Sequence, residues 1–320
     1  MVDILTEVLA LSDVRGAVGA RIEAGRDWGW WWTSETPRVS MHAVLGGTLW
    51  LRIPGRQTLE LMPGDVVLLP AGADHALGSD PAAVARTGPT ASSIWQLTDS
   101  DMISIGAGPV QARVLCAEYD HDHAVSTQVL TMLPDIVHLR AVADTDGLAQ
   151  DTVRLIVREL ATPREAAGVV LDRLVDVLLI QVLRAWLASH EASQPSWLGV
   201  FRDDIVGAAV TRIHEAPAKP WTAAVLAHEV GVSRATLVRR FTAVTGESLG
   251  SYLTRWRMDL AARRLRDTND SLDTIAASVG YSSAYAFGRA FRRARSQSPG
   301  RFRAAYRAMP ASASSDPSAS

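Results

Sequence analysis

Three sets of residues have types and spacings that could do chemistry. The first is arginine-rich and occurs twice. Ser233, Arg234, Thr236, Arg239 and Arg240 lie within eight residues of one another, and Ser282, Ser283, Tyr285, Arg289 and Arg292 lie about fifty residues further on. Guanidinium forks bond guanine edges bidentately or clamp phosphates, and hydroxyls add phosphate contacts. The second set is His42 and His75, two imidazoles that could hold a divalent metal only with further ligands. Glu118, His121 and His123 are candidates for that help by type. Bland alternatives stand beside this reading: hydrogen-bonded core histidines, and an exposed turn at His121-Asp122-His123. Trp30 and Trp32, in the dense run Trp28 to Trp32, could line an effector pocket with the two histidines, or belong to the core. The third is Cys116, the one cysteine. It reads as a buried inert thiol by default. As an oxidant sensor it would need a sulfenic acid, a mixed disulfide or a partner chain.

The arginine sets belong to an internal repeat. Leu226-Ala227-His228-Glu229-Val230-Gly231-Val232-Ser233 matches Ile275-Ala276-Ala277-Ser278-Val279-Gly280-Tyr281-Ser282. Leu237, Arg239 and Phe241 then match Phe287, Arg289 and Phe291. Each unit reads as helix, tight turn, helix. Thr222 is a candidate N-cap in the first unit, and Ser271 or Asp273 starts the second. Gly231 and Gly280 supply a left-handed helix end. Ser233, and Ser282 or Ser283, then cap the second helix of each unit. Leu237 with Phe241, and Phe287 with Phe291, sit four apart on the inward faces. The outward faces are left to Arg234, Ala235, Val238 and Arg239, and to Ala284, Tyr285, Gly288, Arg289 and Arg292. A long helix over about Leu249 to Arg266 spaces the units. Two such second helices about one DNA turn apart, roughly 34 Å, would enter successive major grooves.

With these motifs in place, and with Trp221-Thr222, Arg239-Arg240-Phe241, Tyr252-Leu253, Arg257-Met258 and Ser298-Pro299, residues 205–308 resemble the DNA-binding domain of the AraC/XylS regulators. The resemblance implies two helix-turn-helix motifs, double-stranded DNA as partner, and Arg239 and Arg289 where that family commonly contacts it. Ala235, Val238, Ala284 and Gly288 depart from it by being small or apolar. That points to few direct base contacts and to reliance on thymine methyls, phosphates and DNA shape.

Upstream, Arg38–Leu45, Thr48–Ile53, Gln57–Leu61 and Asp65–Leu69 read as short strands between Gly46-Gly47, Pro54-Gly55 and Pro63-Gly64. Gly64-x5-Pro70-x-Gly72-x2-His75 resembles the second motif of the cupin barrel, and His42 sits near its first motif. Ser40 and Gly46-Gly47 stand where further ligands would be, so the resemblance implies a depleted metal set. Residues 80–110 read as a long loop, a candidate lid. Leu148–Ala161 and Ala166–Ser189 read as helices, with Leu171, Leu174, Leu178 and Val182 as guesses for a homodimer interface against the alternative of intrachain packing.

The expected fold is α+β. A cupin-like β-barrel sensor (1–130) is followed by a helical connector (131–192), a linker (193–204), an all-α domain with two helix-turn-helix motifs (205–308) and a disordered tail (309–320). Charge agrees with this division. The net charge of −2 hides −11 over residues 1–204 and +9 over 205–320. A basic half suits a polyanionic partner. The composition, 48% hydrophobic and 21% charged, is that of a soluble globular chain. No uninterrupted apolar run of roughly 18 residues argues for a membrane span. The acidic opening lacks the basic start of a secretory leader. These features predict a cytoplasmic regulator of transcription, not an enzyme. A small effector, metal or oxidant would act on the barrel, and RNA polymerase is a candidate partner. Two alternatives remain: a constitutive binder that uses its barrel only to dimerise, and a metal-dependent barrel enzyme fused to a DNA-binding domain.

Overall fold

The computed structural model describes residues 5–6, 14–32, 38–86, 102–120, 133–143, 146–189, 199–200 and 202–308. The readings at His121 and His123, of the linker over 193–198 and at 201, and of the tail lie outside these residues. The described chain forms two compact units.

The first unit runs β1 (Arg15–Arg26), β2 (Gly29–Trp32), β3 (Val39–Gly46), β4 (Leu49–Arg52), β5 (Leu59–Leu61), β6 (Val66–Leu69), β7 (His75–Gly78), α1 (Pro81–Arg86), β8 (Met102–Ile105), β9 (Ala107–Asp120) and β10 (Val137–Leu139). It ends with α2 (Leu148–Ala161) and α3 (Ala167–Ser189). One sheet has the order β10-β6-β3-β9-β1-β8 and the other β2-β7-β4-β5. A single core lies between them. Ala20, Ile22, Val44, Val67, Leu69, Val114 and Cys116 come from the larger sheet, and Leu49, Leu51, Leu61 and Leu77 from the smaller.

The larger sheet is covered on its other face as well. Both β3 and β6 are buried at almost every position, the pattern of strands packed on two sides. The cover includes α3. Its Asp176 and Asp172 accept the Gly16 and Val18 amides of β1 at 2.6 and 3.1 Å, and the Tyr119 hydroxyl donates to the Val175 carbonyl at 2.8 Å. A Cβ on Gly16 would stand 2.6 Å from the Tyr119 ring and 2.7 Å from Val175, so only glycine lets α3 approach this closely.

This packing corrects three of the four interface guesses, Leu174 being only half-buried. Leu171, Leu178 and Val182 are buried within their own chain, whereas Val169, Val170 and Val177 are exposed. The reading of 80–110 as one loop is corrected too: α1, β8 and the start of β9 occupy its described parts.

The second unit is all-helical: α4 (Asp204–Glu215), α5 (Ala223–Glu229), α6 (Arg234–Thr245), α7 (Leu249–Asp267), α8 (Leu272–Ser278), α9 (Ala284–Arg295) and α10 (Pro299–Ala308). Its core gathers Leu226, Leu237 and Phe241 from the first repeat and Ile275, Phe287 and Phe291 from the second. Tyr252, Leu253, Trp256, Met258 and Leu265 of α7 lie buried with them.

Candidate nucleic-acid interface and barrel recess

Short-range chemistry sets the two helix-turn-helix units. Thr222, Ser233, Ser271 and Ser283 each cap a helix, accepting from the amides of Val225, Thr236, Thr274 and Ala286. Gly231 and Gly280 turn the chain at φ of 71° and 80°. With Leu237/Phe241 and Phe287/Phe291 facing in, α6 exposes Arg234, Ala235, Val238 and Arg239. On α9, Tyr285, Arg289, Arg292 and Arg293 are exposed, Tyr285 to 75%.

Ion pairing sorts the arginines of this unit into two classes. Arg240 puts Nε and Nη2 on Asp203 at 3.0 and 2.8 Å, and that carboxylate also caps α4. Arg264 pairs with Asp270, Arg266 with Asp267, Arg255 with Glu247, and Arg295 with the buried Asp259. Arg257 donates to the Pro217 and Lys219 carbonyls at 2.8 Å, and Arg303 to that of Asp270. The guanidinium groups of Arg234, Arg239, Arg289, Arg292, Arg293 and Arg301 have no such partner among the described residues. Five of these six lie on α6 and α9. Positive charge without a carboxylate or carbonyl partner is thus concentrated on the two outward helices.

Of the residues expected to meet DNA, Arg240 is therefore committed to Asp203. Ser233 and Thr236 share a hydroxyl contact at 2.9 Å within the α6 cap, and Ser283 serves as the α9 cap. Ser282 is exposed. Sequence reasoning passed over Arg293, although its place four residues after Arg289 was a usable signal.

In the barrel, β3 pairs with β9 so that His42 lies opposite Cys116 and Ser40 opposite Glu118. His42 Nε2 lies 2.7 Å from His75 Nε2, and His42 Nδ1 lies 3.2 Å from Cys116 Sγ. His75 Nδ1 lies 2.7 Å from the Ala73 carbonyl. A carbonyl only accepts, so His75 carries its proton on Nδ1, and a neutral ring then accepts at Nε2. His42 must therefore donate from Nε2 and accept at Nδ1, and the Cys116 thiol donates to it. Every proton in the chain is assigned by that one carbonyl. Burial keeps both rings neutral, holding His75 down at about 4 and His42 well below the usual imidazole range. His75 adds to the His42 effect electrostatically. Trp32 stacks on His75 with ring centroids 5.6 Å apart.

A recess with room for about one water molecule opens beside this chain. Trp32, Ser40, His42, Cys116 and Glu118 line it, with Gly19, Ala20 and Ala117. Trp30 packs on the barrel core next to Trp32, at 6.2 Å, and does not line the recess. Burial raises the Glu118 carboxyl, against the pull of Arg38.

The donor set does not fit a metal. Two imidazole nitrogens on one tetrahedral zinc stand about 3.3 Å apart, given Zn–N bonds of ~2.0–2.1 Å. Here the nitrogens are hydrogen-bonded to each other, and Cys116 lies on the opposite ring nitrogen of His42. No group of three or more candidate ligands occurs among the described residues. The expectation of a metal at His42 and His75 is corrected on those grounds. Cys116 is equally unsuited to be a ready thiolate. Burial, and next the Glu118 charge, push its thiol far above the ordinary range. Thiolate is the reactive form.

Residues 3–188 match a family model described as Cupin, and residues 226–305 one described as a helix-turn-helix domain. A putative AraC-like transcription regulator of Streptomyces lividans is 33% identical, over 94% of this chain and 98% of that relative. The chain belongs to the AraC-type family of transcription regulators. Another putative AraC-like regulator, from Streptomyces antibioticus, is 32% identical over the same shares. The HTH-type transcriptional regulator AlkR of Acinetobacter baylyi is 28% identical, over 82% of this chain and 86% of that relative. This AraC-type chain is thus a DNA-binding transcription regulator. No helix among the described residues is long and apolar enough to cross a membrane.

Proposed function

We propose that this regulator binds duplex DNA through the outward faces of α6 and α9, with α7 setting their spacing. The barrel, with α2 and α3, would sense a small effector. The carrying observation is the sorting of arginines: ion pairs consume those on the flanks and leave Arg234, Arg239, Arg289, Arg292 and Arg293 on the two outward helices. Each phosphate neutralised contributes about 0.9 to the slope of log affinity against log salt. Arg289→Ala or Arg292→Ala is expected to lower that slope by up to about one and weaken binding across sequences. Arg264→Ala, which removes an internal pair, should leave the slope unchanged. Equal slopes for all variants on a labelled duplex would refute the assignment.

The effector would enter at the recess lined by Trp32, Ser40, His42, Cys116 and Glu118, with His75 behind His42. Its differential affinity for two barrel states sets how far it can shift promoter occupancy or contact with RNA polymerase. A homodimer would form through the exposed side of α3. One observation favours the constitutive binder instead: the recess as it stands holds about one water. Soaking a small-molecule library against thermal stability, with Ser40→Leu as the blocked control, separates the two. Hits lost in Ser40→Leu support sensing, and no hits support constitutive binding.

A further inference from the structure

We infer that Val238, flanked by Ala235, is a specificity-determining contact to the C5-methyl group of thymine in the major groove. This rests on the assignment of α6 as a DNA-reading helix.

Val238 is 42% exposed on α6, and Ala235 is exposed three residues before it, on the same face. Arg239 adjoins Val238, and Arg234 stands at the start of the helix; both are exposed, with no ion pair among the described residues. A β-branched residue in mid-helix gains nothing from propensity, and here it does not serve the core that Leu237 and Phe241 build. The patch is too small for a protein partner of its own, and the charge beside it selects a polyanion.

The chemistry of the groove then narrows the target. Aliphatic side chains carry no donor and no acceptor. Set against a guanine, adenine or cytosine edge, they would leave base nitrogen or oxygen atoms desolvated and unpaired. Thymine alone presents an apolar group there. Arg239, one residue on, is placed to bond a neighbouring base or phosphate. The second helix is built differently. Tyr285, Arg289, Arg292 and Arg293 give α9 the charge and the hydrogen bonds. The two helices thus divide the work, α9 holding the duplex and α6 discriminating by methyl contact.

The test selects bound duplexes from a random pool with the full chain at fixed salt. Each thymine of the selected site is then replaced singly by deoxyuridine, which removes only the methyl. The expected result is about a fourfold loss at one or two positions, the factor for one buried carbon at ~0.8 kcal/mol. Val238→Ala, which improves helix propensity and so folds, should abolish that loss at the same position and leave the salt slope unchanged. Equal binding of thymine and uracil sites at every position overturns the inference, as does a Val238→Ala chain that still discriminates. A wild-type chain that selects no duplex overturns the DNA-reading assignment as well.

Discussion

His214 gives the DNA-binding unit an acid sensitivity whose size follows from its surroundings. Its ring is 6% exposed and lies flat on Trp256, with centroids 3.5 Å apart and planes within 2°. Nε2 meets the Tyr252 hydroxyl at 2.7 Å, and Nδ1 has no partner among the described residues. Burial, and secondarily the charge of Arg255, depress its pKa from 6.5 to about 3. Below pH 6.5 the unfolded chain therefore takes up a proton that the folded chain refuses. Stability falls by ~1.4 kcal/mol per pH unit in that window, until the folded pKa is reached. Between pH 6.5 and 5 the loss from this one group is about 2 kcal/mol. His214→Phe keeps the stacking and removes the titration. Its own stability can differ, so the decisive quantity is the slope against pH and not the offset. Hydrogen exchange in the full chain, corrected for intrinsic rates and read on α4 and α7 peptides, isolates this unit from the barrel. The wild type should lose about 2 kcal/mol of protection there that His214→Phe does not lose. Identical slopes would refute the assignment of His214 as a buried neutral ring.

Other outcomes follow from the same structure. Gly231 and Gly280 are equivalent in the repeat but not in space. Gly231→Ala meets nothing within 4 Å and should cost about 1 kcal/mol for its left-handed backbone. Gly280→Ala sets a Cβ 2.8 Å from the Ala218 carbonyl and 2.7 Å from Arg257, and should cost about 2 kcal/mol more in urea unfolding. The Cys116 thiol should resist a disulfide reagent in the native chain and react only after denaturation, so labelling within minutes under native conditions would contradict its burial. Titration with zinc should show no stoichiometric heat that depends on His42. Val170→Glu with Val177→Glu should leave the melting temperature nearly unchanged and dissociate a homodimer in sedimentation. Leu178→Ala, which opens the barrel unit's own packing, should instead destabilise by about 2–5 kcal/mol.

Much of the DNA-binding unit is legible in the amino-acid sequence because its signals are local. A cap serine binds an amide three residues on, a left-handed glycine ends a helix, and Leu237 and Phe241 share a face by period alone. The repeat then doubles each signal. Tertiary structure is needed for whatever depends on partners distant in sequence. Arg239 and Arg240 are neighbours of one type, yet only the fold brings Asp203 to Arg240 and so separates an internal tie from a group left for DNA. The histidines show the same limit. Their residue types suggest a metal, but the pairing of β3 with β9 sets Cys116 against His42 across 74 residues, and the Ala73 carbonyl fixes each proton. Likewise the apolar run of α3 announces a buried helix, while the sheet beneath it decides which side is spent on the chain's own core. Composition and period determine which faces must be buried. Only packing, through register and close approach, determines against what.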